Sequence, residues 1–165
     1  MGRPFMKNKI LSQSGLYTVI DLPSTKLQGC KTIIDTEDYS KVEHYHWFAN
    51  IAENRARVKS TQGLYMARII MNPPDDMEVD HKDGNPFINC KHNLRICTHA
   101  QNSCNRHHIS TKGISKFGKK YKAEIKHNGE STYLGLYTDK SEALKAYNAA
   151  ALILFGEFAC LNEVN

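Results

Sequence analysis

The sequence predicts an α+β fold: a small mixed N-terminal region runs into a strand, long loop, strand and helix, and the tail holds antiparallel strands and a helix. Three observations predict it. Asp83-Gly84 sits in the turn-rich segment Lys82-Asp83-Gly84-Asn85-Pro86, between strand-like stretches at Met77 to His81 and Asn93 to Ile96. Asn128-Gly129, a hairpin turn signal, separates two alternating stretches, Lys120 to Ile125 and Ser131 to Tyr137. Ala143, Ala146, Tyr147, Ala150, Ala151 and Leu154 recur at intervals of three and four, which makes one face of a helix.

Along the chain, Leu16 to Leu22 reads as a strand closed by Pro23, and Thr32, Ile33 and Ile34 as a second. Asp35 is placed to cap a helix running through Tyr39 and Val42 to Tyr45 or His46. Trp47 and Phe48 enter a core flanked by His44 and His46, while Val58 and the run Leu64 to Met71 read as further strands. Asn72-Pro73-Pro74-Asp75-Asp76 stops any helix before it and marks a boundary. Thr98 is placed to cap a helix carrying Asn102 in its first turns. The last helix opens on Asp139 with Glu142 three residues on, a capping-box pattern, and ends at Gly156.

The 165 residues have the mix of charged and apolar side chains of a globular protein, enough for one ordinary domain or two small ones. Net charge is +5 and the pI about 8.9, a modest basic balance. Its distribution is more informative: Lys112, Lys116, Lys119, Lys120, Lys122 and Lys126 are opposed between 112 and 130 only by Glu124 and Glu130. Five cysteines, an odd number, and an N-terminus with no apolar signal core predict reduced thiols inside a cell. No apolar run approaches the roughly 20 residues that span a bilayer, so no membrane partner is expected.

The chemistry concentrates in Val79-Asp80-His81-Lys82-Asp83-Gly84-Asn85, then Asn93-Leu94-Arg95, Thr98 and Gln101-Asn102. Breaking a phosphodiester needs a base that takes a proton from water and a cation that neutralises charge on the phosphate. A hard divalent ion prefers oxygen ligands and keeps several waters, so one carboxylate and one amide oxygen suffice when phosphate oxygens complete the shell. Asp80 and Asn102 are suitable donors. Adjacent strand residues point to opposite faces, so Asp80 and His81 need local distortion, or approach by the substrate, to act on one phosphate. Asn93 is placed to bond across the hairpin to the backbone near His81 and to fix its ring.

Together these residues resemble the HNH homing endonucleases of phages, whose motif reads Asp-His-x-Asp-Gly-Asn, Asn-Leu-Arg, Thr and Gln-Asn. The match covers about Val79 to Arg106. The resemblance implies a ββα-metal fold with Asp80 and Asn102 as ligands of one magnesium or manganese ion. It assigns His81 and Asn93 to the catalytic set, the first as general base and the second as the structural asparagine. It sets Arg68, Arg95 and Arg106 against DNA phosphates or in support of the fold. One departure is that the family's strand before the motif often carries His-Arg, whereas this chain has Met66-Ala67-Arg68; Ala67 reads as a weakening and not an inactivation. Cys90, Cys97 and Cys104 lie at seven-residue intervals near His92 and His99, but no Cys-x-x-Cys pair occurs, and no structural zinc is expected. His107-His108 reads as a solvated helix end.

From Lys112 onward, Lys112-Gly113-Ile114, Tyr121-Lys122-Ala123-Glu124-Ile125, Tyr133-Leu134-Gly135-Leu136-Tyr137, Glu142-Ala143, Ala146-Tyr147 and Gly156-Glu157-Phe158-Ala159 with Leu161-Asn162 resemble an AP2 domain. That family implies a three-stranded antiparallel sheet packed on one helix, reading DNA with its exposed face. Tyr121-Lys122 stands where plant relatives usually have Trp-Arg, so the bidentate guanidinium is lost and base specificity does not carry over. By alternation alone, Lys120, Lys122, Glu124 and Lys126 share one strand face, extended by Lys112 and Lys116, and such a face attracts phosphate. The expected organisation is an N-terminal segment over 1–30, a nuclease domain over 31–110 with its motif at 79–106, and an AP2-like domain over 111–165. The expected function is a metal-dependent endonuclease of double-stranded DNA that nicks one strand per site, in the cytoplasm of a bacterial or phage-infected cell, with no obligatory protein partner. The alternative is an AP2-type DNA-binding regulator that does not cut.

Overall fold

The structure is a computed structural model and describes residues 7–52, 55–104 and 111–164. The chain divides into two compact units, Met1–His99 and Ala100–Asn165. Among the described residues no helix is long and apolar enough to cross a membrane.

The first unit opens on an antiparallel sheet of β1 (Ile10–Gln13), β2 (Tyr17–Asp21) and β3 (Lys31–Asp35) in that order. β2 and β3 alternate buried and open positions, with Thr18, Ile20, Thr32 and Ile34 turned inward, as a strand with one covered face must. β1 escapes sequence reasoning because all four of its residues are exposed and no alternation marks it. After β3, the helix expected from Asp35 shrinks to a 3-10 turn at Thr36–Asp38 and the single α-turn of α1 (Tyr39–Val42). Asp35 does not cap it; its carboxylate accepts the backbone N–H of Lys91 at 2.7 Å instead.

β4 (Trp47–Ala52) and β5 (Arg55–Ser60) form a hairpin, and Trp47 is almost wholly buried with its indole N–H donating to the Val42 carbonyl at 2.8 Å. The run Leu64 to Met71, expected as strand, keeps only an isolated antiparallel bridge, Tyr65 with Lys59, before it turns into α2 (Met66–Met71). Met66, Ala67 and Ile70 are buried, a helical spacing that a short continuous apolar run does not reveal by itself. Asn72 ends α2 in the left-handed region, its N–H bonded to the Arg68 carbonyl. The loop from Asn72 to Asp76 lies inside the first unit and not at a boundary: α2 packs on β6 (Glu78–His81) and β7 (Leu94–Cys97), which pair antiparallel on either side of a long loop. α3 (His99–Cys104) follows and straddles the division between the units. One apolar core, including Ile20, Ile34, Val42, Trp47, Val58, Met66, Ile70 and Leu94, joins all these strand pairs.

The second unit is a three-stranded antiparallel sheet in the order β10, β9, β8, with β8 at Ile114–Phe117, β9 at Lys120–His127 and β10 at Glu130–Tyr137. α4 (Lys140–Phe155) packs on it. The β9–β10 turn has positive φ at both Asn128 (50°) and Gly129 (88°), the signature of a type I′ hairpin, so the turn signal was sound. Ala123 and Ile125 are buried beneath α4 residues Ala143, Leu144, Tyr147 and Ala151, while Lys116, Lys120 and Lys126 are exposed. The capping box forms only in part. Asp139 accepts the N–H of Ser141 at 2.8 Å, but Glu142 turns to the Lys145 ammonium. The C-terminal strand-less segment is held by Asn162, which exchanges bonds with Asn148 of α4 and with the backbone of Lys112.

Gly113 enters this sheet at φ 65°, and a Cβ there would collide with the Glu124 carbonyl and the Tyr147 ring. Gly113→Ala is therefore expected to destabilise the second unit by more than about 1 kcal/mol, since left-handed strain and overpacking add. Urea unfolding followed at the amides of 111–164 checks it; an unchanged midpoint would contradict the close approach.

Candidate active site

The loop between β6 and β7 is a series of turns closed by its own side chains. Gly84 N–H bonds the His81 carbonyl at 2.9 Å, Asp83 accepts the N–H of Asn85 at 2.8 Å, and Asn85 accepts that of Phe87 at 3.0 Å. Asn93 is buried and spans the loop: its amide donates to Asp83 Oδ1 at 2.9 Å and to the Ile88 carbonyl at 3.0 Å, and its Oδ1 accepts the Asp83 N–H at 3.2 Å. Lys82 N–H donates to the Asn93 carbonyl at 2.8 Å. Asn93 thus ties the backbone just after His81, as its position suggested.

The His81 ring is held by a different residue. Its Nε2 lies 3.1 Å from Oδ1 of Asn89, which is almost fully buried. Burial pulls the His81 pKa below its ordinary value, against the opposing pull of the Asn89 bond and of the Asp80 and Asp83 carboxylates. At neutral pH the imidazole is accordingly weighted towards its neutral, proton-accepting form. Sequence reasoning did not single out Asn89. A signal was present, since Asn85, Asn89 and Asn93 recur every four residues, but nothing in it distinguished the residue that faces the ring.

Asp80 lies directly across the strand pair from Arg95, and both are buried. Arg95 Nε and Nη2 both donate to Asp80 Oδ2, at 2.9 and 2.7 Å. The guanidinium is thus turned to the carboxylate within the fold and compensates a charge that burial alone would make costly. Arg68, on α2, donates to the Met77 carbonyl at 2.6 Å and so braces the entry to β6; the Met66-Ala67-Arg68 segment is helical, not strand.

Asn102 is half-buried on α3. It and Asp80 fall on opposite sides of the division between the two units. Arg106 lies outside the described residues, as do His107 and His108. In the second unit Lys112 is half-buried with its backbone clamped by Asn162, and Lys122 pairs with Glu124 at 2.6 Å on the shared strand face. Lys116, Lys120 and Lys126 are the exposed members of the set, but Lys116 pairs directly with Tyr121 and so lies on the Tyr121–Ala123 face of the sheet, opposite Lys120 and Lys126, and does not extend their patch as alternation alone suggested.

A further donor group escaped the sequence because β3 supplies part of it. Asp35, Cys90 and His92 bring ligand-type atoms within 4.8 Å of one another and could hold a metal ion. Asp35 already accepts the Lys91 N–H, which ties the loop to β3, and burial with the Asp35 carboxylate pushes the Cys90 thiol up to about 11. Burial likewise raises Cys97 to about 11.

Removing the guanidinium from Asp80 tests the buried pair. Arg95→Met is expected to cost about 3–5 kcal/mol of folding stability by urea denaturation, because a buried carboxylate loses its counter-charge. A loss below about 1 kcal/mol would class the pair with exposed ion pairs of little consequence.

No family model matches the chain. Over 145 residues, 84% of this chain and 78% of the relative, it is 29% identical to a protein named as an uncharacterized HNH endonuclease from Acanthamoeba polyphaga mimivirus.

Proposed function

We propose that this chain is a metal-dependent HNH endonuclease of the homing type that hydrolyses phosphodiester bonds in double-stranded DNA. The observation that carries the reading is the His81 ring anchored by Asn89 next to a buried Asp80 at the end of β6, in a chain similar over most of its length to a protein named as an uncharacterized HNH endonuclease.

The residue types fit a hard cation: Asp80 and Asn102 each offer a side-chain oxygen, and Arg95 fixes the Asp80 carboxylate through Oδ2. Magnesium or manganese bound there would supply charge neutralisation at the phosphate and the departing oxygen. His81 takes a proton from water; the resulting hydroxide forms the new P–O bond as one ester P–O bond breaks, and the departing oxygen gains its proton from solvent. Asn93 keeps the loop after His81 in place while this happens. The second unit, whose three-stranded sheet packed on α4 supports the AP2 reading, brings Lys120 and Lys126 to DNA phosphates. Arg106 is proposed to add a phosphate contact. Because the chain carries a single Asp80-to-Asn102 motif, one protomer cuts one strand at a time.

Plasmid incubated with purified protein tests the chemistry. Cleavage should require a divalent cation, give nicked circles before linear product, and fall about 10²- to 10⁴-fold in His81→Ala with binding retained. Full activity in excess chelator, or in His81→Ala, would remove the metal or the base from the mechanism.

The basic face is tested by replacing Lys120 and Lys126 with alanine. Each lost phosphate contact should flatten the slope of log affinity against log salt by about 0.9. An unchanged slope would mean the sheet does not touch DNA.

A further inference from the structure

The hydrogen bonds around His81 have a definite direction, and it can be followed from atoms that have no choice. The carbonyls of Pro86 and Phe87 only accept. Thr32, fully buried on β3, has one hydroxyl hydrogen and places its Oγ1 2.9 Å from the Phe87 carbonyl and 3.9 Å from Met66 Sδ; the thioether is the weaker and more distant acceptor, so the hydrogen goes to Phe87. Its lone pair then accepts from Asn89 Nδ2 at 3.0 Å. The second amide hydrogen of Asn89 goes to the Pro86 carbonyl at 3.1 Å. Turning the amide over would set its oxygen against the Pro86 carbonyl and oblige the Thr32 hydroxyl to abandon Phe87. The side chain is almost fully buried, so water does not compensate such a loss. Asn89 Oδ1 therefore faces His81 Nε2 as an acceptor.

We propose that Thr32 and Asn89 are positioning residues that hold the His81 imidazole as its Nε2–H tautomer, making Nδ1 the nitrogen that receives the proton from water. The assignment of Nδ1 as base rests on the nuclease reading, whereas the tautomer rests on the hydrogen-bond directions alone. When Nδ1 gains its proton, Nε2 keeps its own, and Asn89 Oδ1 stands against the imidazolium as a fixed dipole. The relay also explains why a threonine and not a valine suits this inward position of β3: an apolar isostere would fill the space but leave the Asn89 amide without one of its two fixed acceptors.

The test is long-range proton–nitrogen NMR of the full chain labelled in its histidine rings, without metal or DNA, with His81 assigned by His81→Gln. In the unsubstituted protein the ring should show Nε2 protonated. Thr32→Ser, which keeps the hydroxyl, should retain that pattern and the cutting rate. Thr32→Val, which keeps the volume, and Asn89→Leu should shift the ring towards the Nδ1–H tautomer. They should also slow plasmid cleavage about 10- to 100-fold, with DNA affinity unchanged. Should Asn89→Leu fail to fold, the valine and serine variants, each checked for native amide dispersion, decide the matter. A ring protonated at Nδ1 in the unsubstituted protein, or a Thr32→Val protein with the original tautomer and rate, overturns the proposal. A tautomer shift in variants of a protein that cuts no DNA upholds the positioning and defeats the nuclease reading.

Discussion

The site depends on one short piece of backbone pairing. β3 meets β2 along one edge, and with its other edge it grips the loop between β6 and β7: Ile33 N–H donates to the Phe87 carbonyl at 3.0 Å, and Asn89 N–H donates to the Ile33 carbonyl at 2.8 Å. A loop of this length would otherwise sample many conformations, and ordering it costs roughly 1–2 kcal/mol per residue in backbone entropy. The bridge places Asn89 where its amide reaches Thr32 and its oxygen reaches His81. The Asp35 bond to Lys91 N–H extends the same grip two residues further. The N-terminal sheet therefore scaffolds the candidate active site as well as covering the core.

A second constraint is electrostatic. The antiparallel register sets Asp80 opposite Arg95, and both are buried, so each charge is tolerable only because of the other. Alternation along β6 sends Asp80 towards Arg95 and His81 towards Asn89, two neighbours in sequence held by different partners. Such a pair of fixed, differently partnered groups is what a hydrolytic site needs if one residue orients a cation and the other moves a proton. Of the two routes the sequence left open for this pair, strand distortion or approach by the substrate, the second suffices if the phosphate bridges the strand end.

Much of the fold was legible because it rests on local signals. The alternation of β2, β3 and β9, the Asn128-Gly129 turn and the alanine stripe of α4 are each written within a few residues, and tertiary packing agrees with them. α2 was misread since Leu64 to Met71 is too short and too uniformly apolar for its period to show. β1 buries nothing and so left no pattern. At the candidate site, the strand arms around Asp83-Gly84 could be read, but the register that sets Asp80 against Arg95 could not. The role of Asn89 was hidden for a deeper reason: its partner Thr32 lies on a strand that meets the loop only in three dimensions. The expected helix from Asp35 failed on the same account, as its carboxylate was taken by Lys91.

β3 holds the loop rigidly enough to aim His81, and native-state hydrogen exchange at two amides tests this most directly. The N–H groups of Ile33 and Asn89 are the two bonds of the bridge. If the account is right, both exchange as slowly as the amides that pair β2 with β3, because they open only when that sheet opens. Exchange of Asn89 at the rate of an exposed loop amide, with the β2–β3 amides still protected, would contradict it and leave His81 without the scaffold described.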